Sequence, residues 1–226
     1  MGPDASGDAV RHRNRRVFDG VFGTVYGAYI RRERLARLIA RAVWASDTRP
    51  FYASMAAVGR VADGGTIVDA PCGSGVALRA LRPERRVRYL GFDLSPRMLG
   101  QARRYADRLG LRQVELAEAD AEALPLEDAG ADLFLSYFGL HCFPRPQAAV
   151  REAARCLRAG GRLVGATIVI GERRLDRLRV RPGVGAFGPV GTAADLQRWL
   201  SDAGVAEVEI ERSGVFAVFG GTKAET

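Results

Sequence analysis

Short apolar runs alternate with helical patterns along most of this chain, and the spacing within each segment predicts its element. From Arg31 to Trp44, the residues Leu35, Leu38, Ile39, Ala42 and Val43 recur at helical spacing, so one face packs and the arginines point outward. A second helix is expected from Phe51 to Val61. There follow strand Thr66 to Asp69, helix Gly75 to Leu81, strand Val87 to Asp93, helix Pro96 to Leu109, strand Val114 to Glu118 and strand Ala131 to Ser136. Helix Pro146 to Leu157 is expected to end at Ala159-Gly160-Gly161, where glycine can take a left-handed cap. Strand Arg162 to Ile170 is almost continuously apolar, as in a strand buried on both faces. Thr192-Ala193-Ala194-Asp195 reads as a capping box opening a helix that ends near Gly204, and Glu207 to Arg212 with Gly214 to Phe219 reads as a closing hairpin.

Alternation of this kind implies an α/β fold: a Rossmann-like, doubly wound sheet of seven strands, mostly parallel with the last antiparallel, carrying an N-terminal helical cap. The 226 residues suit one domain. Residues 1–16 are polar and basic and are expected as a flexible arm, 17–64 as the helical cap, and 65–226 as the core.

Composition narrows the partners. No apolar run approaches the ~20 residues that span a bilayer, and the basic start lacks a signal peptide's hydrophobic stretch, so a cytoplasmic protein with no membrane partner is expected. Cys72, Cys142 and Cys156 are too few and too scattered for a disulfide framework or a zinc motif, and read as reduced thiols. The net charge of +8 is spread along the chain and carried almost wholly by arginine, Lys223 being the only lysine; no dense basic block points to nucleic acid. The stretch Glu172 to Pro189, arginine-rich and broken by Gly183, Gly185 and Gly188, reads as a mobile loop or lid at a substrate mouth.

The segment richest in chemistry is Ile67-Val68-Asp69-Ala70-Pro71-Cys72-Gly73-Ser74-Gly75, an apolar strand ending in a carboxylate and a glycine loop. Gly73 and Gly75 allow unusual dihedrals and close backbone approach to a ligand. A dinucleotide fingerprint would place glycine or alanine where Leu78 stands, and the acid at the strand's end would face unfavourably towards a phosphate. Asp93 follows roughly twenty residues later, at the spacing of a ribose-binding acid on a neighbouring strand.

This loop, Gly91-Phe92-Asp93-Leu94-Ser95, Asp120-Ala121-Glu122-Ala123-Leu124-Pro125 and the glycine turn within Leu157 to Leu163 fall in the order in which similar motifs occur in class I S-adenosylmethionine (SAM) dependent methyltransferases. Over roughly Phe18 to Lys223 the chain resembles that family, particularly its ubiquinone-methylase-like small-molecule members. The resemblance implies SAM as cofactor. It would be held by Asp69, Ala70, Cys72, Gly73 and Gly75 of the first motif, by Asp93 on the ribose hydroxyls, by Leu94 and Met98 against the adenine, by Asp120 and the Ala121 amide at the adenine edge, and by Tyr137.

Methyl transfer from a sulfonium is an in-line displacement in which positioning does much of the work, but a hydroxyl nucleophile must also lose a proton. Of the two histidines, His12 lies in the basic arm and His141 follows a core strand at its carboxyl end, which makes His141 the expected general base. Phe138, with Phe18, Phe22, Tyr26 and Tyr29 of the cap, is the expected substrate pocket. Asp19 and Glu33 are candidate substrate or metal contacts, but no ligand cluster fixes a metal site, so metal dependence stays open, as does a homodimer. The expected function is O-methylation of a small molecule, a sugar or other secondary metabolite; the alternatives are C-methylation of a quinone-like ring, RNA methylation and SAM binding without catalysis.

Overall fold

The computed structural model describes residues 5–171, 176, 180, 182–184 and 186–225. Strands β1 (Thr66–Asp69), β2 (Arg88–Asp93), β3 (Val114–Glu118), β4 (Ala131–Tyr137), β5 (Leu157–Ile168), β6 (Val205–Ser213) and β7 (Phe216–Lys223) form one seven-stranded sheet in the order β3-β2-β1-β4-β5-β7-β6. Neighbours from β3 to β5 pair in parallel; β7 inserts antiparallel between β5 and β6, as the closing hairpin predicts. The chain order reverses between β1 and β4, which leaves a crevice above their carboxyl ends, where ligands of open α/β sheets bind.

Successive residues of the central strands enter opposite cores, because strand side chains alternate in direction. Ile67, Tyr89, Leu133 and Leu135 pack on one face with Phe51, Met55 and Leu78. Val68, Leu90 and Phe134 pack on the other with Val150, Leu163 and Leu196. Burial on both faces explains why these strands read as continuous apolar runs.

Seven helices surround the sheet among the described residues: α1 (Ala5–Asp19), α2 (Val21–Ile30), α3 (Glu33–Trp44), α4 (Arg49–Ser54), α5 (Pro96–Leu109), α6 (Pro146–Cys156) and α7 (Ala193–Asp202). Ser95 caps α5, its hydroxyl accepting from the Met98 amide, and Thr192 with Asp195 forms the full capping box of α7.

The structure corrects four expectations. Residues 5–16, read as a flexible arm, belong to α1, held by ion pairs that no local pattern reveals. The helix expected over Phe51 to Val61 divides into α4 and a 3-10 segment Met55–Arg60, and that expected over Gly75 to Leu81 is a 3-10 segment Val76–Ala80. β5 begins at Leu157, so Gly160 (φ +70°) turns within the strand and not at a helix cap. Of the stretch Glu172 to Pro189, the part carrying its arginines lies outside the described residues.

Candidate functional site

Between β1 and the following 3-10 turn the backbone must reverse over a few residues. Gly73 (φ +51°) and Gly75 (φ +79°) supply the left-handed conformations this requires, and the space where a Gly73 Cβ would stand is empty within 4 Å. The Gly73 amide donates to Asp93 Oδ2 at 2.9 Å and the Ser95 amide to Asp93 Oδ1 at 2.8 Å, so one carboxylate ties the glycine loop to the end of β2. Burial raises Asp93 to about 6, opposed by those two amide bonds. Asp69 is 1% exposed; Oδ2 accepts from the Tyr89 hydroxyl while Oδ1 has no partner. Burial pushes Asp69 up to about 7, with the Tyr89 bond lowering it and Asp93 raising it.

Above the ends of β1, β2 and β4 lies a cleft whose walls include Gly73, Asp93, Leu94, Met98, Asp120, Ala121 and Tyr137. Seven of the expected cofactor residues therefore meet in one place. Asp69, Ala70, Cys72 and Gly75 do not line it. Asp69 lies beneath, Ala70 faces the opposite core, and Cys72 packs against Gly91.

What the sequence does not disclose is the roof. Arg11, Asn14, Arg15 and Phe18 of α1 close the cleft, leaving about 90 Å³, well below the roughly 300 Å³ at which small-molecule sites begin. Arg11 Nε lies 2.6 Å from Asp120 Oδ2 and Nη2 lies 2.9 Å from Glu122 Oε2, whose side chain is 1% exposed and also pairs with Arg145 at 2.9 Å. Asp120, the expected adenine contact, thus already holds a cation.

A second cavity, of about 400 Å³, shares Phe18, Tyr26, Phe138 and Cys142 with the first. Phe138 stands at this junction with φ +56°, unusual for an aromatic residue and of the order of 1–3 kcal/mol in cost, its amide held by the Ala166 carbonyl at 2.6 Å. All five expected pocket aromatics line this cavity. Trp44, Phe187, Phe216 and Thr48 also line it and were not anticipated; they come from segments far apart in the chain. Trp44 packs edge-on against Phe187, with centroids 6.2 Å apart, and Phe138 against Phe216 at 5.2 Å.

His141 lines the second cavity, 8% exposed, in a 3-10 turn after β4. The Ile168 amide donates to Nδ1 at 3.3 Å, and Thr167 Oγ1 stands 3.3 Å from the same nitrogen. An Nδ1 that accepts places the hydrogen of the neutral ring on Nε2. Burial drives His141 down to about 3, so the ring is neutral and presents Nε2–H as a donor. That geometry favours a hydrogen-bond donor over a general base.

The family described as "Methyltransferase domain" matches residues 68–165, which span the glycine loop, Asp93, Asp120 and His141. Residues 68–165 thus match a methyltransferase domain, of the class I, SAM-dependent kind.

Among relatives, the malonyl-[acyl-carrier protein] O-methyltransferase of Hahella chejuensis is 36% identical over 107 residues, 46% of this chain and 36% of that protein. The ubiquinone/menaquinone biosynthesis C-methyltransferase UbiE of Bartonella bacilliformis is 28% identical over 155 residues, 67% of this chain and 58% of that protein. The chain thus spans less than two thirds of each of these relatives. Among solved structures, the Haemonchus contortus phosphoethanolamine N-methyltransferase 2, in complex with phosphomonomethylethanolamine and S-adenosylhomocysteine, is similar with a TM-score of 0.66 at 15% identity, covering 77% of this chain and 52% of that one.

The polar groups of the methyltransferase domain fit its cofactor: an unpartnered buried carboxylate oxygen on Asp69, an Asp93 carboxylate with lone pairs left over, and open space beside Gly73. The volume does not fit until α1 shifts. No group of three or more metal-ligating side chains occurs among the described residues; the Ser95 hydroxyl donates to Asp19, and Glu33 pairs with Arg79 at 3.0 Å. No helix among them is long and apolar enough to cross a membrane.

Proposed function

We propose that this protein transfers a methyl group from SAM to a hydroxyl oxygen of a small molecule held in the second cavity. The observation that carries this is the shared wall of the two cavities at Phe18, Tyr26, Phe138 and Cys142, which sets an acceptor next to the cofactor cleft. SAM, when bound, supplies an electrophilic methyl group on a sulfonium. Asp93 and the Gly73 loop would hold it, Met98 and Leu94 offering apolar surface to its base. The aromatic wall excludes water and orients the acceptor, so that much of the barrier is met by positioning. His141, donating Nε2–H to the acceptor oxygen, would favour the ionised form of the hydroxyl, whose proton leaves to solvent before transfer; the oxygen then bonds the methyl carbon as the carbon–sulfonium bond breaks, and this donor role stands in place of the base role that its position along the chain suggests. Such an arrangement suits a hydroxyl acidic enough to ionise without a side-chain base, a phenol or an enol, and does not favour a sugar.

C-methylation of an activated ring is the second reading, compatible with the same donor histidine: a hydroxyl ionised to solvent makes its ring carbon nucleophilic, that carbon takes the methyl as the carbon–sulfonium bond breaks, and the displaced ring proton leaves to solvent. Methyl-labelled SAM offered with phenols, quinols, sugars and RNA tests both. Label on a phenolic oxygen, with His141→Gln lowering kcat and leaving S-adenosylhomocysteine affinity unchanged, supports the first. Label on a ring carbon supports the second, and label only on sugars or RNA overturns both.

A further inference from the structure

Away from both cavities, α2 and α5 pack backbone against side chain: a Cβ on Gly27 would come within 2.4 Å of Gln101 Oε1, and Gln101 Nε2 donates to the Gly23 carbonyl at 3.3 Å. Beside that contact runs a groove of about 230 Å³. Arg97, Arg104 and Arg108 line it from α5, at i, i+7 and i+11 on one helix face; Thr24, Ala28 and Arg31 line it from α2 and its C-cap. The groove shares no lining residue with the cofactor cleft or the aromatic cavity. Among the described residues no acid lines it and none of its four arginines pairs with a carboxylate, whereas Arg11, Arg85, Arg88 and Arg155 each do. Asp19, near the start of α5, accepts from the Ser95 hydroxyl and the Arg97 amide and leaves the Arg97 guanidinium to other partners.

The four side chains are held in place by neutral groups. Arg97 Nη1 donates to Thr24 Oγ1 at 3.1 Å and Arg31 Nη1 to the Ser74 carbonyl at 3.1 Å. The Arg31 and Arg108 guanidiniums both lie on the Tyr105 ring, 5.2 and 5.6 Å from its centroid. Burial and the charges of Arg108 and Arg104 hold Arg31 below the usual guanidinium range, with Tyr105 opposing them. Like charges so gathered repel one another, and an anion set among them offsets that repulsion.

We propose that the groove between α2 and α5 binds a small polyphosphate anion, whose phosphate groups are taken by the guanidinium forks of Arg31, Arg97, Arg104 and Arg108. Planar forks match phosphate oxygens two at a time. The arginines of α5 extend over three turns, about 16 Å at 1.5 Å per residue, so a chain of phosphates meets them where a single phosphate cannot. Tyr105 already carries two guanidiniums on its ring, which leaves no platform for the base stacking on which single-stranded nucleic acid binding relies. Neither cavity takes part, so the site stands apart from the methyl-transfer reading.

The test is calorimetric titration of the full chain with tripolyphosphate, inorganic phosphate, ATP and a single-stranded RNA, at about 0.15 M ionic strength so that diffuse attraction to the net charge is screened. Tripolyphosphate is expected to bind one to one, and inorganic phosphate about tenfold more weakly or worse. Combining Arg104→Gln with Arg108→Gln weakens tripolyphosphate about tenfold, while Arg60→Gln, which removes an exposed charge outside the groove, changes it less than about twofold. Arg104 and Arg108 are like charges one helical turn apart, so the double variant keeps its thermal midpoint near or above that of wild type and the lost binding reports the site, not the fold. ATP weakened by the same double variant assigns the site to polyphosphate whether free or carried by a nucleoside; ATP untouched by it confines the site to the free anion. No tripolyphosphate binding, equal weakening by Arg60→Gln, phosphate binding as tight as tripolyphosphate, or RNA binding more tightly than tripolyphosphate through the same arginines overturns the inference.

Discussion

At the residue scale, two buried acids decide how the cofactor cleft responds to pH. Burial lifts Asp69 from 3.8 to about 7 and Asp93 from 3.8 to about 6. An acid whose folded pKa lies above its unfolded value stabilises the fold fully below the unfolded pKa, and that contribution is lost as pH rises through the folded one. Asp69 therefore makes the cofactor-free protein progressively less stable between about pH 4 and pH 7. Asp69→Asn, which cannot ionise, is expected to gain in thermal midpoint on wild type across that window, a gap read by thermal denaturation at several pH values. S-Adenosylhomocysteine affinity should move the other way, rising with pH more steeply in wild type than in the variant, because a cationic amino group favours the Asp69 carboxylate while Asp93 titrates in both. A constant gap in midpoint would show that Asp69 does not titrate there.

At the scale of elements, α1 is the component that decides access. Its sequence reads as a basic, fraying segment because its partners lie more than a hundred residues away: Arg11 reaches Asp120 and Glu122 of the loop after β3. Two charge-assisted hydrogen bonds, partly shielded from water, contribute about 1.5–3 kcal/mol each at most. They fasten α1 over the cleft and narrow it, so release of these two bonds is expected to widen the path to it. Arg11→Ala is expected to speed S-adenosylhomocysteine dissociation several-fold and to lower hydrogen-exchange protection in residues 5–19, leaving protection of β1 and β4 unchanged. Unaltered dissociation would mean that α1 does not gate the site. The capping box of α7, by contrast, was legible locally, since Thr192 and Asp195 sit three residues apart and need nothing else.

At the scale of the whole molecule, the first cavity lies at the crevice between β1 and β4, and the second adjoins it past Phe138, beside Ile168 of β5 and Phe216 of β7. Their contents are separable. Ala40 lines the second cavity only and is 3% exposed, so Ala40→Leu adds volume to the acceptor space and none to the cofactor cleft. This variant is expected to lose phenol binding while binding S-adenosylhomocysteine as wild type does, at about 1–3 kcal/mol of stability from overpacking. Calorimetry with each ligand checks it, and parallel loss of both would show that the two cavities act as one.

The sequence by itself determined the alternation of strands and helices, the positions of Gly73, Gly75 and Asp93, and the family resemblance that four separate stretches carry. These are local: a glycine is needed where φ is positive, and an acid at a strand end is found wherever the strand ends. The tertiary structure alone decided the rest. It brought Thr48, Trp44, Phe187 and Phe216 to the wall that Phe18 and Phe138 begin, and laid α1 across the cleft. It also set the Ile168 amide against His141 Nδ1, 27 positions away. Periodicity reports which side of an element is buried; it carries no record of which distant element buries it, and the site is made of those distant contacts.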